Sequence, residues 1–290
     1  MNRPDILVLM SDQHTASFSG AYGSGSVRTP NLDRLARDGT TFDAAYTSNP
    51  LCVPARMSFL TGRLSESTGI YTNEGALPGD EATFLHALGA QGYETVLIGR
   101  MHFMGNDQRH GFTKRLVGDM TPTQWGQSGD RRKDLGGFVR TLGDRYLDVV
   151  GGGNSPVLEY DRAVTAAAVE YLGQNHNNPQ CVVVGLYGPH CTYVAPPELY
   201  KEYLGRAPMP VATDGSVNYA EHLNLYPRKN VSDGFMQSIR AAYCGMITQV
   251  DGQLGEVRQA WDGDLARQKR ERSEERRVGK ECRSRWSPYH

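Results

Sequence analysis

The sequence has little net charge, few cysteines and no long apolar run. Its 31 lysine and arginine residues nearly balance 32 aspartate and glutamate residues, which leaves a formal net charge of -1 at pH 7. With charges this evenly balanced, the sequence shows no excess of positive charge that would attract nucleic acid or an anionic membrane. We therefore expect no nucleic-acid partner, no membrane partner, and recognition that depends on a local site.

The cysteines do not form a recognisable framework. There are 5 of them, an odd number, and no two are spaced as a Cys-x-x-Cys pair. That pattern argues against a set of disulfides and against a structural zinc site. The apolar run near the N-terminus, Ile6 to Met10, is too short for a signal peptide or a membrane span. On the sequence as written, the expected location is the cytoplasm.

Short apolar segments alternate with helical patterns along the chain. Ile6–Met10, Thr95–Ile98 and Cys181–Tyr187 have the continuous apolar character of strands that are buried on both faces. Such strands separated by helices predict an α/β fold with a largely parallel sheet. Apolar spacing and helix start and stop residues predict the helices, at residues 30–38, 54–61, 83–88, 160–172 and 235–261.

Polar side chains follow each predicted strand. Asp12 and Gln13 follow the first strand, Arg100 and His102 the second, and His190 the third. Because ligands bind at the carboxyl ends of parallel strands, these residues are expected on one rim if the strands are neighbours. A carboxylate, an amide oxygen, a guanidinium and two imidazoles suit metal-assisted chemistry on an anion. Taken singly, each residue also has an ordinary interpretation as a turn cap, a packing histidine or a surface ion pair.

Cys52 lies just before the short helix that is predicted to start near Pro54. A helix N-terminus presents free N–H groups and the positive end of the helix dipole, which favours an anion there. Arg56, on the same helix, is close enough in sequence to neutralise such an anion. Two other interpretations of Cys52 are an ordinary buried cysteine and a thiol nucleophile of low pKa.

The residues around Cys52 resemble the signature of the type I sulfatases. Cys52-Val-Pro-Ala-Arg56, followed by Thr61-Gly62, matches the motif in which the cysteine is oxidised to formylglycine. The resemblance extends from about Arg3 to Trp261 and implies an alkaline-phosphatase-like sandwich with a largely parallel central sheet, truncated on its C-terminal side. Further segments that match in order and spacing are residues 4–13, 29–36 and 99–111.

The resemblance implies catalytic and substrate-binding roles. Cys52, as formylglycine, is expected to be the nucleophile, and Arg56 is expected to hold it in place. Arg100, His102 and His190 are expected to contact the sulfate, and the two histidines to handle protons. Arg100 stands where many relatives have lysine, so the charge is kept while the donor geometry changes.

The resemblance also implies a divalent metal with Asp12, Gln13 and Cys52 as ligands. Ca²⁺ is the expected ion, because a carboxylate, an amide oxygen and an aldehyde hydrate are hard oxygen ligands. The implied partners are a small-molecule sulfate ester and a formylglycine-generating enzyme. Within the family the match is greatest to choline-sulfatase-like enzymes, through Asn49–Cys52, Met101–Phe103 and Asp107–Phe112.

The C-terminal side departs from the family pattern. Sulfatases complete their metal site after the long helix, with a Ser-Asp-His-Gly-like or Asp-Asn-like segment, and none follows Trp261. We therefore expect an incomplete N-terminal catalytic domain at residues 3–263, a boundary within 264–271 and a non-native tail at 272–290. The tail lacks apolar periodicity and resembles a translated sequencing adapter, whereas the alternative is a natural basic arm.

The expected function is hydrolysis of a sulfate monoester, impaired in this chain by the incomplete metal site. Two other functions fit the same residues. One is hydrolysis of a phosphonate or phosphodiester on the same scaffold. The other is a non-catalytic fragment that only binds anions.

Overall fold

The structure is a computed structural model that describes residues 3–121, 149–209 and 232–284, with side chains described up to residue 263. Its strands are β1 (Ile6–Asp12), β2 (Glu94–Gly99), β3 (Lys114–Arg115), β4 (Gly151–Gly152), β5 (Gln180–Pro189) and β6 (Val194–Ala195). Its helices are α1 (Pro30–Asp38), α2 (Cys52–Thr61), α3 (Ser65–Thr68), α4 (Phe84–Ala90), α5 (Pro156–Leu172), α6 (Pro197–Tyr203) and α7 (Asp233–Ser284).

The central sheet is parallel, as the sequence predicts. Its strand order is β1-β5-β2-β3, while β4 and β6 form a small parallel sheet of their own. In the central sheet Cys181 of β5 pairs with Ile6 on one side and with Thr95 on the other. Every residue of β5 is buried, in keeping with a strand that has neighbours on both sides and helices on both faces.

Helices cover both faces of this sheet and give the protein two main cores. On one face Val182 and Val184 pack with residues of α5 and α7. On the other face Cys181 and Val183 pack with residues of α2 and α4. Alternate residues of β5 pack into different cores because successive side chains of a strand point to opposite faces of the sheet.

Strand β1 is less buried than its apolar sequence predicts. Ile6 to Ser11 are only half-buried, and Asp12 is the one buried residue of the strand. The reason is that β1 stands at the edge of the sheet, and among the described residues it pairs with β5 alone. Alternate β1 side chains still pack against the two cores, so the predicted strand is covered on both faces but only partly buried.

Helix α1 has the predicted bounds, with Thr29 at its N-cap and Pro30 as its first residue. Its first N–H groups are capped from α7, because the Asp251 carboxylate accepts from Asn31 N at 3.1 Å and from Leu32 N at 2.8 Å. Asp251 thus joins α1 to α7. The apolar stripe of α1 is not buried and lines an open cavity of about 410 Å³, together with Ser11, His14 and Phe42.

Helix α7 confirms the long amphipathic helix predicted from Phe235 to Trp261 and continues to Ser284. Its buried face includes Met246, Val250 and Leu254, which belong to the core beneath β5. The helical backbone crosses the boundary expected at 264–271 and enters the tail. The structure does not describe side chains beyond residue 263 or any part of residues 285–290, so the interpretation of the tail as non-native stays a prediction. None of the described helices has both the length and the apolar character needed to cross a membrane.

Candidate functional site

Three neighbouring strands deliver polar residues to one rim of the sheet. Asp12 is the last residue of β1, Arg100 directly follows β2, and His190 directly follows β5. The backbone of Arg100 approaches β5 closely, with Arg100 N donating to Gly185 O at 2.8 Å. A Cβ at Gly185 would collide with the carbonyl oxygen of Arg100, so this approach requires glycine.

Cys52 is the first residue of α2, two positions earlier than the helix start predicted at Pro54. The helix is anchored by buried residues that include Val53, Met57 and Leu60, which leaves Cys52 half-buried at its N-terminal end. The Cys52 thiol donates to Asp12 Oδ1 at 3.7 Å. The nucleophile candidate therefore lies against the rim formed by the strand ends.

Two buried arginines neutralise Asp12. Arg100 Nε donates to Asp12 Oδ2 at 2.7 Å, and Arg56 Nη2 donates to the same oxygen at 3.0 Å. Arg56 also donates to the backbone oxygen of Arg100 at 3.0 Å. Burial alone would raise the pKa of Asp12, but the two guanidinium groups hold it well below the ordinary value.

Asp119 is a second buried carboxylate on the rim, and the sequence analysis missed it. Its Oδ1 accepts from Arg100 Nη1 at 3.3 Å, and its Oδ2 accepts from His102 N at 2.6 Å. Burial would raise the pKa of Asp119, but Arg100 holds it well below the usual range. Asp119 follows β3, a strand of only two residues with no apolar run that could have predicted it.

His102 is neutral and its protonated nitrogen can be assigned. Burial, and then the charge of Arg100, lower the pKa of His102 to about 3. Its Nδ1 lies 2.9 Å from Arg100 Nη2, and a guanidinium can only donate. Nδ1 is therefore the acceptor and Nε2 carries the proton, an assignment made from the hydrogen bonds. Its φ of 57° places the backbone in the left-handed region.

His190 lies beside an aromatic ring that also contacts Arg100. The Tyr187 ring makes an edge contact with His190 at 4.9 Å between ring centroids, and the Arg100 guanidinium carbon lies 4.3 Å from the Tyr187 centroid. His190 Nδ1 lies 3.0 Å from the backbone oxygen of Cys191, which can only accept. Nδ1 therefore carries the proton, and burial followed by the Arg100 charge lowers the pKa of His190.

The thiol of Cys52 is not activated by this environment. Burial, and then the nearby Asp12 carboxylate, raise its pKa, against the opposing effect of Arg100 and Arg56. The thiol therefore stays protonated, which disfavours the interpretation of Cys52 as a thiol nucleophile of low pKa.

Asp12, Cys52 and His190 each offer a ligand atom within 4.8 Å of the others, an arrangement that suits a metal ion. The donor types fit a divalent metal, but the set is small, since Ca²⁺ takes about six to eight oxygen ligands. Asp12 also faces two guanidinium groups, which oppose a further cation. Gln13 is exposed and has a φ of 58°, and its backbone oxygen accepts from the Tyr243 hydroxyl at 2.6 Å.

Curated proteins with similar sequences are sulfatases. The sulfatase family model matches residues 4–266. Choline-sulfatase of Rhizobium meliloti is 32% identical over 276 residues, which are 88% of this chain and 53% of that protein. N-acetylglucosamine-6-O-sulfatase of Bacteroides thetaiotaomicron is 26% identical over 287 residues, 91% of this chain and 47% of that protein. The chain spans about half the length of the curated relatives it matches.

Solved structures share the fold at lower identity. Phosphonate monoester hydrolase of Agrobacterium radiobacter matches with a TM-score of 0.68 and 20% identity, over 90% of this chain and 60% of that one. BT4656, solved in complex with its substrate D-glucosamine-2-N,6-O-disulfate, matches with a TM-score of 0.63 and 19% identity, over 90% and 63%. These likenesses confirm the expected alkaline-phosphatase-like fold. With a family model that covers most of its length and a choline-sulfatase at 32% identity, this chain belongs to the sulfatase family.

Proposed function

We propose that the protein from which this chain derives hydrolyses a sulfate monoester, with Cys52 converted to formylglycine. The observation that carries the proposal is the place of Cys52, at the N-terminus of α2 and 3.7 Å from Asp12. Free N–H groups and the dipole of the helix favour an anionic group there. Arg56, one helical turn further on, is fixed on Asp12 and adds positive charge.

The hydrogen bonds of the rim residues indicate which catalytic role each can take. When Cys52 is present as formylglycine, one hydroxyl oxygen of its hydrate attacks sulfur and displaces the alcohol. Loss of the proton from the other hydroxyl then re-forms the aldehyde, which breaks the bond between its carbon and the sulfated oxygen and releases sulfate. His102 offers its Nε2–H to a sulfate oxygen or to the departing alcohol oxygen. His190, protonated at Nδ1, can accept a proton from the hydrate at Nε2. A bound sulfate raises the proton affinity of both rings, because a nearby anion favours the imidazolium.

Arg100 contributes through charge and orientation. Its guanidinium is 1% exposed and donates to Asp12 and Asp119. Direct pairing with two sulfate oxygens, as a guanidinium can achieve, requires that it release one of these contacts. We propose that Arg100 contacts the sulfate in this way.

The proposed metal is Ca²⁺, held by Asp12, modified Cys52 and Gln13. It would polarise the sulfate and offset its charge. The nearness of Asp12 and Cys52 supports this set, while Gln13 follows Asp12 in the chain and has an exposed side chain. The small donor set, and the edge of β1 with which no described strand pairs, support a further proposal, that residues 3–263 form an incomplete catalytic domain. The chain as written would then bind the metal weakly and turn over little substrate.

The proposed substrate class is a small sulfate ester, and the similarity to choline-sulfatase makes choline sulfate the first to test. Phosphonate or phosphodiester hydrolysis is the second candidate, supported by the structural likeness to phosphonate monoester hydrolase. The proposed partner in either reaction is a formylglycine-generating enzyme.

Mass spectrometry of Cys52, together with hydrolysis rates on a sulfate ester and a matched phosphonate ester, distinguishes the two proposed functions. A protein of the relatives' length is produced together with a formylglycine-generating enzyme, and the Cys52 peptide is analysed for the aldehyde. Rates are then measured on para-nitrophenyl sulfate and para-nitrophenyl phenylphosphonate. The proposal expects the aldehyde and a higher kcat/KM on the sulfate. An unmodified Cys52 or a clear preference for the phosphonate would contradict it.

A further inference from the structure

Helix α5 carries a buried carboxylate that the roles assigned above do not use. Asp161 is 2% exposed and lies in the second turn of the helix. Its Oδ1 accepts from Tyr187 N at 2.6 Å, and its Oδ2 accepts from Gly188 N at 2.8 Å. Among the described residues Asp161 makes no ion pair, so two backbone N–H groups are its hydrogen-bond donors.

It is energetically costly to bury a carboxylate that forms no ion pair with any described residue. Burial raises the pKa of Asp161 to about 7, in spite of the two backbone hydrogen bonds that lower it. Asparagine has the same shape and no charge, but it offers a single acceptor oxygen. Here two donors approach two different oxygens, and a carboxylate accepts both. The geometry therefore explains why an acidic residue stands at this position.

The fit around the carboxylate is close. A Cβ built at Gly188 would lie 2.9 Å from Asp161 Oδ2 and 2.9 Å from Val250 Cγ2 of α7. Glycine lets the end of β5 lie directly between the carboxylate and α7. The backbone at this point is thus held from α5 by hydrogen bonds and from α7 by contact.

This part of β5 sets the positions of two groups on the rim. The register between β1 and β5 shifts after Met10, so that Asp12 lies opposite Pro189. Tyr187, whose N–H is held by Asp161, contacts both Arg100 and His190 through its ring. A displacement of the backbone at Tyr187 would move the ring and also the start of the segment that carries His190.

We propose that Asp161 is a positioning residue, whose carboxylate fixes the end of β5 so that Tyr187 and His190 lie in place beside Arg100 and Asp12. The catalytic consequence of this positioning rests on the function proposed above. The positioning itself does not, since it concerns contacts that can be measured without substrate.

Asp161→Asn tests the proposal, with Thr165→Val as the matched control. Thr165 is buried on the same helix, and its hydroxyl donates to the backbone oxygen of Asp161 at 2.7 Å. Its replacement perturbs α5 without removing an acceptor from β5. In both variants of this chain, hydrogen–deuterium exchange is measured at the Tyr187 and Gly188 amides. The imidazole resonances of His190 are recorded as well, assigned with His190→Gln.

Asp161→Asn is expected to speed exchange at one or both amides roughly tenfold, because one acceptor is lost, and to shift the His190 resonances. Thr165→Val should change neither, even if it lowers Tm by a similar amount. Wild-type exchange and resonances in Asp161→Asn would overturn the proposal. Equal changes in the two variants would assign Asp161 a role in stability alone and would overturn it as well.

Two further measurements cover the cases in which Asp161→Asn does not fold or the protein has no sulfatase activity. If Asp161→Asn does not fold, Gly188→Ala perturbs the same contact from the other side and should produce the same local changes. In an active protein of the relatives' length, Asp161→Asn should lower kcat more than it changes KM. If that protein has no sulfatase activity, the proposed function fails, while the exchange and resonance data still decide whether Asp161 positions His190.

Discussion

Arg56 Nη2 donates to Asp12 Oδ2 at 3.0 Å in the interior of the protein. The contact joins α2, which begins with Cys52, to the end of β1. Arg56 is 5% exposed and Asp12 is 7% exposed, so the pair is shielded from solvent screening. This pairing fixes Cys52, the residue proposed to be modified, against the strand that carries the candidate metal ligand Asp12.

Removal of Arg56 should destabilise the protein strongly. Arg56→Ala removes one buried charge-assisted hydrogen bond while Arg100 still neutralises Asp12, and it is expected to reduce the free energy of unfolding by about 2 kcal/mol. Arg34→Ala, which removes an exposed pair with Asp38 on α1, should cost less than about 1 kcal/mol. Urea denaturation measures both. Similar small losses in the two variants would mean that the Arg56–Asp12 pair stabilises little.

Asp12 should make stability depend on pH in acid. Because the pKa of Asp12 in the folded protein is below its ordinary value of 3.8, its contribution is present above about pH 4 and is lost as the pH falls toward the folded value. Asp12→Asn should therefore flatten the decline in unfolding free energy between about pH 4 and pH 2. Asp38→Asn serves as the exposed control. A decline as steep in Asp12→Asn as in the control would contradict the assignment.

His102 should remain neutral in the folded protein at physiological pH. Its pKa is lowered from 6.5 to about 3, so an NMR titration of its ring should show no protonation between about pH 5 and pH 8. The same ring in the urea-unfolded chain should titrate near 6.5. The folded state binds fewer protons, so this residue contributes stability that declines as the pH falls below 6.5. A folded-state midpoint between pH 6 and pH 7 would refute the neutral assignment.

Metal binding by the chain as written should be weak. Asp12 is opposed by two arginines, and the described donors are too few to complete a Ca²⁺ shell. Isothermal titration with CaCl₂ is expected to give a dissociation constant weaker than about 1 mM. Micromolar binding that disappears in Asp12→Asn would show that the site is already complete.

The arrangement of the rim was predictable from the sequence because it follows from a few strong rules. The apolar runs before Asp12, Arg100 and His190 predict strands, and all three strands are confirmed. Parallel pairing then places their carboxyl ends at one edge. Pro54 indicates a helix beside Cys52, although the helix starts at Cys52 itself.

The supporting residues were not predictable in the same way. Asp119 follows a two-residue strand, and Asp161 occupies an ordinary position in an amphipathic helix, so neither has a local pattern that marks it. In the sequence, Tyr187 is only the last residue of a predicted apolar strand. Its ring contacts with Arg100 and His190 depend on how side chains from different strands are placed. The exposure of β1 depends on which strand lies next to it, which a local apolar run does not encode.

The central claim is that Cys52 provides the nucleophile for sulfate ester hydrolysis. Its most direct test is the rate of sulfate release from para-nitrophenyl sulfate by a protein of the relatives' length, produced with a formylglycine-generating enzyme, as wild type and as Cys52→Ala. With both proteins shown to be folded, the account predicts hydrolysis by the wild type and a loss of at least about a thousandfold in Cys52→Ala. Equal rates in the two proteins would contradict the account.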